Sequence, residues 1–294
     1  MATLQELLHR LISDRYRDSK DSKGLVSRAE RVVALLGPLR SPSSILPADV
    51  ARLRSLLKSE GLSGSTVNRY LTALGVILRQ AEEEGLVGSV QKIRREREPE
   101  GRCRILSPEE ISDISALLLG PQHLEPGVTY SALIYFLVET GMRVSEALRL
   151  RWEDLTNGRA VCSHKDCCGE AIVRQTKSGK PRTVPLTGGA CRALGWPRCN
   201  PAFFAGPFTH VDQFGFNRAW NAAKARLPSL ASDPDVVPHA LRHTCASRLI
   251  RAGVPLPVVK DWLGHASIKT TMRYVHLDTA ALRRAAEAME NLKR

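Results

Sequence analysis

Leu4, Leu7, Leu8 and Leu11 recur at the three- and four-residue spacing of one helix face, and Thr3 with Glu6 forms a capping box ahead of them. Val50, Leu53 and Leu57 repeat the pattern, and Val67, Leu71, Leu74, Leu78 and Ala81 extend it over about four turns. Turn chemistry at Ser41 to Ser44 and Pro47 separates a second helix from the third. These stripes predict a small helical bundle over residues 1–90. Residues 91–104 are charged, poor in apolar positions and broken by Pro99 and Gly101, which predicts a linker. A second domain, 105–294, opens at Ser107-Pro108-Glu109-Glu110, where an N-cap serine, a proline at the first helical position and a glutamate reaching back specify a helix start.

Within the second domain the apolar run Ala132 to Val138 predicts a buried helix over 130–139 that stops at Gly141. The stretches 159–161, 171–176 and 182–186 read as short strands, with Ser178-Gly179 as a turn between the last two. Helices are predicted at 214–225, 238–252, 255–263, 268–274 and 279–292, with Gly253 and Gly264 at C-cap positions. The fold class is therefore mainly α with a small antiparallel β-sheet.

Composition narrows the partners. The apolar run at 132–138 is far shorter than the ~20 residues a bilayer requires, so no transmembrane helix is predicted. Glu6, Arg10, Asp14, Arg15 and Arg17 interrupt the N-terminal leucines, unlike a secretory signal, and a cytoplasmic protein is expected. Seven cysteines in that compartment read as thiols. The net charge of +13 favours a polyanion, and its density is highest in the linker, with six basic and three acidic groups over 91–104.

Four separated clusters carry cations and proton carriers: Thr140-Gly141-Met142-Arg143-Val144-Ser145-Glu146, Thr176-Lys177-Ser178-Gly179-Lys180, His239-Ala240-Leu241-Arg242-His243, and Leu263-Gly264-His265 followed by Thr270, Tyr274 and His276. Any one of them alone is an ordinary surface arrangement. In this order and spacing they resemble the signature of the tyrosine recombinase (phage integrase) family, over most of residues 105–280. The bundle and linker are similar, more weakly, to the family's SAM-like core-binding domain, and the layout is that of compact, Xer-like members.

The resemblance implies a site-specific recombinase that cleaves and rejoins double-stranded DNA through a covalent 3′-phosphotyrosyl intermediate, with no cofactor, metal or ATP. Tyr274 is the expected nucleophile and Arg143 with Arg242 the phosphate clamp, because a guanidinium stays charged and forks onto phosphate oxygens. His239 is the candidate base, since a phenol titrating near pH ~10 needs help at neutral pH. His265 would hydrogen-bond the phosphate, and Glu146 would brace the site without touching DNA. Lys177, with Lys180 competing, would protonate the leaving 5′ oxygen. The two domains would close around DNA as a clamp, with a homotetramer on two sites, a monomer or weak oligomer when free, and accessory DNA-bending proteins as further partners.

Integration or excision of a mobile element is the expected role, with Xer-type chromosome or plasmid dimer resolution as the alternative, and Tyr274 could be delivered in cis or in trans. A type IB topoisomerase shares the nucleophile chemistry, but the compact layout and the Leu-Gly-His box favour recombination. A DNA-binding protein without turnover would have no use for the tyrosine. Cys162, Cys167, Cys168, Cys191 and Cys199, with His164, offer zinc-ligand atoms, but their spacing fits no closed four-ligand pattern, and no metal is expected. The terminal helix around Leu282 to Met289 would pack within the chain or on a neighbouring protomer.

Overall fold

The computed structural model describes residues 2–17, 22–90, 92–98, 103–118, 130–156, 169–176, 179–194 and 205–275, with positions 283, 286, 287, 289 and 290. The chain forms two compact units, Met1–Gly101 and Arg102–Arg294.

The first unit is a bundle of α1 (Leu4–Leu11), α2 (Ser22–Leu36), α3 (Pro47–Ser59) and α4 (Gly64–Glu83). The capping box is made: Thr3 Oγ1 accepts the Glu6 N–H at 3.2 Å and Glu6 accepts the Thr3 N–H at 2.9 Å. The apolar stripes converge as one core that includes Leu4, Leu8, Leu11, Leu53, Leu57, Leu71 and Leu74. Residues 92–98, within the expected linker, lie along this bundle. Asn68 accepts the Glu96 N–H (2.8 Å) and donates to the Glu96 carbonyl (3.0 Å), while Lys58 pairs with the Glu96 carboxylate (2.6 Å). One acid of the segment is thereby neutralised, and Lys92, Arg94, Arg95 and Arg97 stay exposed.

The second unit opens with α5 (Pro108–Leu117), whose Ser107 hydroxyl and Glu110 carboxylate cap each other's backbone amides. The apolar α6 (Tyr130–Thr140) runs through the centre, followed by the single turn α7 (Val144–Ala147). An antiparallel sheet of β1 (Leu155–Thr156), β2 (Glu170–Val173) and β3 (Arg182–Pro185) lies in the order β1-β2-β3, with Ala171 opposite both Leu155 and Val184. The strand expected at 159–161 lies outside the described residues, and β2 ends at Val173, earlier than its run of β-formers suggests.

Then come α8 (Gly188–Ala193), α9 (Gln213–Ala225), α10 (Pro228–Ala231), α11 (His239–Arg251), α12 (Leu256–Leu263) and α13 (Ile268–Met272). The short α8 and α10 have no stripe long enough to read from sequence. Phe136, Phe208, Phe216 and Trp220 fill the core of this unit, with the Trp220 indole donating to the Val236 carbonyl at 3.2 Å. Gly253 and Gly264 both adopt positive φ, +79° and +67°, closing α11 and α12 as expected. The helix expected at 268–274 stops at Met272, so Tyr274 sits in the turn beyond it. Most of the terminal helix expected at 279–292 lies outside the described residues.

Candidate active site

Arg242 is the centre of the site. It projects from the first turn of α11 and is 2 % exposed. One terminal nitrogen donates to the Gly141 carbonyl (2.8 Å), just past α6, and the other to the Leu263 carbonyl (2.6 Å), at the end of α12. Carbonyls at a helix C-terminus lack partners in their own helix and carry the negative end of its dipole. Two such ends therefore hold one guanidinium in place without using a carboxylate. Burial, then the charge of Arg143, lowers the Arg242 pKa to about 10, so it stays cationic at neutral pH. Five N–H groups are available and two bonds go to carbonyls, which leaves donors for an anion.

Gly141 makes this possible. Its φ of +63° turns the chain out of α6, and a Cβ there would lie 2.7 Å from Leu263 Cδ2 and 3.0 Å from Cys245 Sγ. The same turn brings Arg143 to the N-cap of α7. Its guanidinium pairs with Glu146 at 2.7 Å and is 26 % exposed, so it can still meet a ligand.

Glu146 is almost fully buried and also holds Arg182, which forks onto both carboxylate oxygens at 2.8 and 3.1 Å. Arg182 Nε donates in turn to the Trp262 carbonyl (3.2 Å), tying β3 to the end of α12. Burial is the largest influence on Glu146 and would raise its pKa. The two arginines and the Arg143 backbone N–H outweigh it and hold the carboxyl at about 2. Arg182 was not singled out in the sequence, yet its alternation with the buried Val184 and Leu186 marks it as an inward-facing charge.

Three histidines surround the arginines. His239 begins α11, His243 follows one turn later, and their rings meet edge to face at 4.8 Å. His265 follows the left-handed Gly264, and its Nδ1 is hydrogen-bonded to the buried Thr271 hydroxyl at 2.9 Å. Burial lowers all three, to about 4 for His239 and His243 and about 3 for His265, and Arg242 and Arg273 push each in the same direction. All three are neutral at pH 7 in the free protein. Arg273 is itself exposed, and nothing in the sequence pattern distinguishes it.

Tyr274 is 1 % exposed and packs against Ala246, Ile250, Val259 and Leu263. Its phenol is hydrogen-bonded to His243 Nδ1 at 2.6 Å. Burial raises the Tyr274 pKa to about 12, with the neighbouring Cys103 thiol adding to the rise and Arg242 and Arg273 opposing it. One chain thus brings Arg143, Glu146, His239, Arg242, His265 and Tyr274 into a common electrostatic neighbourhood. The phenol's partner, His243, closes the third cluster but carries no expected role there; its i, i+4 relation to His239 puts both on one helix face.

Lys177 lies outside the described residues. Lys180 lies in the β2–β3 turn, its carbonyl accepting from the Thr176 hydroxyl at 2.7 Å, and Gly179 there has a φ of +78°. Cys162, His164, Cys167, Cys168 and Cys199 also lie outside the described residues, whereas Cys191 is buried in the core of the second unit. Among the described residues no group of three or more histidines, cysteines and carboxylates has the arrangement of a metal site, and no helix is long and apolar enough to cross a membrane.

Comparison with known proteins gives concordant matches. The model of the phage integrase family matches residues 106–281. The chain is 29 % identical over 251 residues to the tyrosine recombinase XerC of Mesorhizobium japonicum, covering 82 % of this chain and 77 % of the relative. It is 28 % identical to XerD of Neisseria meningitidis, covering 93 % of each. Among solved structures, the Tn1549 transposon integrase in complex with a circular intermediate DNA superposes with a TM-score of 0.71 at 20 % identity, covering 99 % of this chain and all of the other. A lambda integrase dimer bound to a COC′ core site gives 0.69 at 17 % identity, covering 95 % and 97 %. At these identities the last two likenesses speak to the fold.

Proposed function

The chain belongs to the phage integrase family, and from that membership we propose that it is a site-specific recombinase in which Tyr274 attacks a DNA phosphate and carries the cleaved strand as a 3′-phosphotyrosyl ester. The observation that carries this reading is the convergence of two arginines, three neutral histidines and one phenol from sequence-distant elements of a single chain.

Attack on a phosphodiester gathers charge on the non-bridging oxygens, and fixed cationic donors stabilise that state more than the ground state. Arg242, pre-set by its two carbonyls, and Arg143, braced by Glu146, fill this role. His265, oriented by Thr271, donates to the phosphate. The phenolic proton passes to a histidine of α11, and Lys177 is the candidate for protonating the leaving 5′ oxygen. The phosphotyrosyl ester conserves the energy of the broken bond, so a 5′ hydroxyl from a partner strand can reverse the step without a nucleotide cofactor. Two duplexes exchanging both strands need four cleavages, hence four protomers. The exposed basic residues Lys92, Arg94, Arg95 and Arg97 suit phosphate contacts that add affinity without reading sequence.

Integration or excision of a mobile element is the reading adopted for the biological substrate. Resolution of chromosome or plasmid dimers is the second, favoured by the near full-length similarity to XerD. Both use one reaction. The test is covalent capture: full-length protein is mixed with short duplexes of randomised sequence, nicked so that the small fragment released by cleavage diffuses away. After denaturation, wild type retains a defined set of sequences and Tyr274→Phe retains none. Equal retention by Tyr274→Phe, or none by wild type, overturns the reading. Mapping the captured sequence to the ends of a discrete element or to one chromosomal locus separates the two biological roles.

A further inference from the structure

A nucleophilic phenol must lose its proton as it attacks, and the group that takes it must lie within about 2.6–3.2 Å of the oxygen. His243 Nδ1 is 2.6 Å from the Tyr274 hydroxyl. His239 touches His243 through the ring edge at 4.8 Å between centroids, and so stands one residue removed from the phenol. The helix assigns the neighbouring positions to different tasks. Successive residues on α11 point about 100° apart, so Arg242 turns toward the ends of α6 and α12 while His243 turns toward the tyrosine. A neutral imidazole that accepts at Nδ1 carries its own proton on Nε2.

We propose that His243 is the direct proton acceptor for Tyr274, with His239 left to serve the phosphate; the proposal rests on the recombinase reading above. As the phenolic oxygen bonds to phosphorus and the bond from phosphorus to the 5′ oxygen breaks, the phenolic proton moves to His243 Nδ1. The leaving 5′ oxygen takes its proton from a separate acid. In the reverse step His243 returns the proton to the phenol as a 5′ hydroxyl displaces it.

The transfer is concerted with attack. In the free protein burial holds the histidine below its ordinary value and the phenol above its own, so ionisation ahead of attack is disfavoured. The charged and titratable groups facing His243 are His239 and Arg242 on its own helix and Arg273 and Tyr274 beyond α13. Burial first, and the neighbouring charges after it, keep His243 neutral in the free protein, and an anionic phosphate among those arginines offsets the second of these.

The test uses the full chain and the nicked duplex captured by wild type. Glutamine at 243 can accept the phenolic hydrogen bond but cannot carry the proton away. For H243Q the rate of adduct formation is expected to fall by roughly 100-fold or more, with gel-shift affinity kept within about twofold. Its residual rate should rise steadily with pH as hydroxide takes over, where wild type levels off. Added imidazole should speed H243A, whose cavity admits the free base. An H243Q rate within about threefold of wild type overturns the proposal, as does a slower rate with the wild-type pH profile, which marks a positioning residue only. Since wild type and Tyr274→Phe are run alongside, loss of the wild-type adduct indicts the recombinase reading, and its presence isolates His243.

Discussion

Replacing Arg182 with methionine removes one charge from beneath the active site while keeping an aliphatic stem of similar length. The wild-type guanidinium is 9 % exposed and forks onto a carboxylate that is 2 % exposed. The magnitude follows from Glu146, whose pKa is held at about 2 against an ordinary 4.5. At about 1.4 kcal/mol per unit, that difference corresponds to about 3 kcal/mol of stability at pH 7. Arg182 is the largest favourable contributor, and breaking a buried pair from one side costs about 3–5 kcal/mol.

The sign is that of a depressed acid: the stabilisation is complete above about pH 4.5 and is lost as pH falls toward about 2. All four tryptophans lie beyond residue 101, so their fluorescence follows the second unit alone. At pH 7 the variant should melt lower by about 6–12 °C, given about 2–4 °C per kcal/mol for a unit of this size. The gap should shrink by about half near pH 3, as the Glu146 linkage is lost. Adding Glu146→Gln should return part of the loss, because no buried charge is then left unpaired. A melting point within about 2 °C of wild type, or a gap that ignores pH, refutes the reasoning.

Two further outcomes can be checked with the same readouts. Gly141→Ala forces an L side chain into a φ of +63° and sets a Cβ against Leu263 and Cys245, so it should cost about 2 kcal/mol and slow adduct formation by shifting the carbonyl that holds Arg242; wild-type stability and rate would contradict this. His239, His243 and His265 are depressed to about 4, 4 and 3, so the unfolded chain takes up protons that the folded chain refuses. The urea midpoint should therefore fall as pH drops from about 6.5 to 4, less steeply in His265→Gln, and a flat midpoint would exclude neutral buried histidines.

Local chemistry alone determined much of this protein. Caps at Thr3 and Ser107, glycines closing α11 and α12, and apolar stripes in the bundle are decided by residues a few positions apart, and they stand in the structure as read. The order of the four polar clusters likewise identified the family and named Arg143, Glu146, His239, Arg242, His265 and Tyr274. What lay beyond the sequence were relations between elements. That Arg242 is held by two helix ends, that Arg182 shares Glu146, and that the phenol meets His243 depend on how α6, β3, α11 and α12 pack. The neutrality of the histidines has the same origin, because burial and three nearby guanidinium groups, rather than residue type, set their protonation. Spacing along a chain encodes which face a side chain leaves from; only the packed fold decides what it meets.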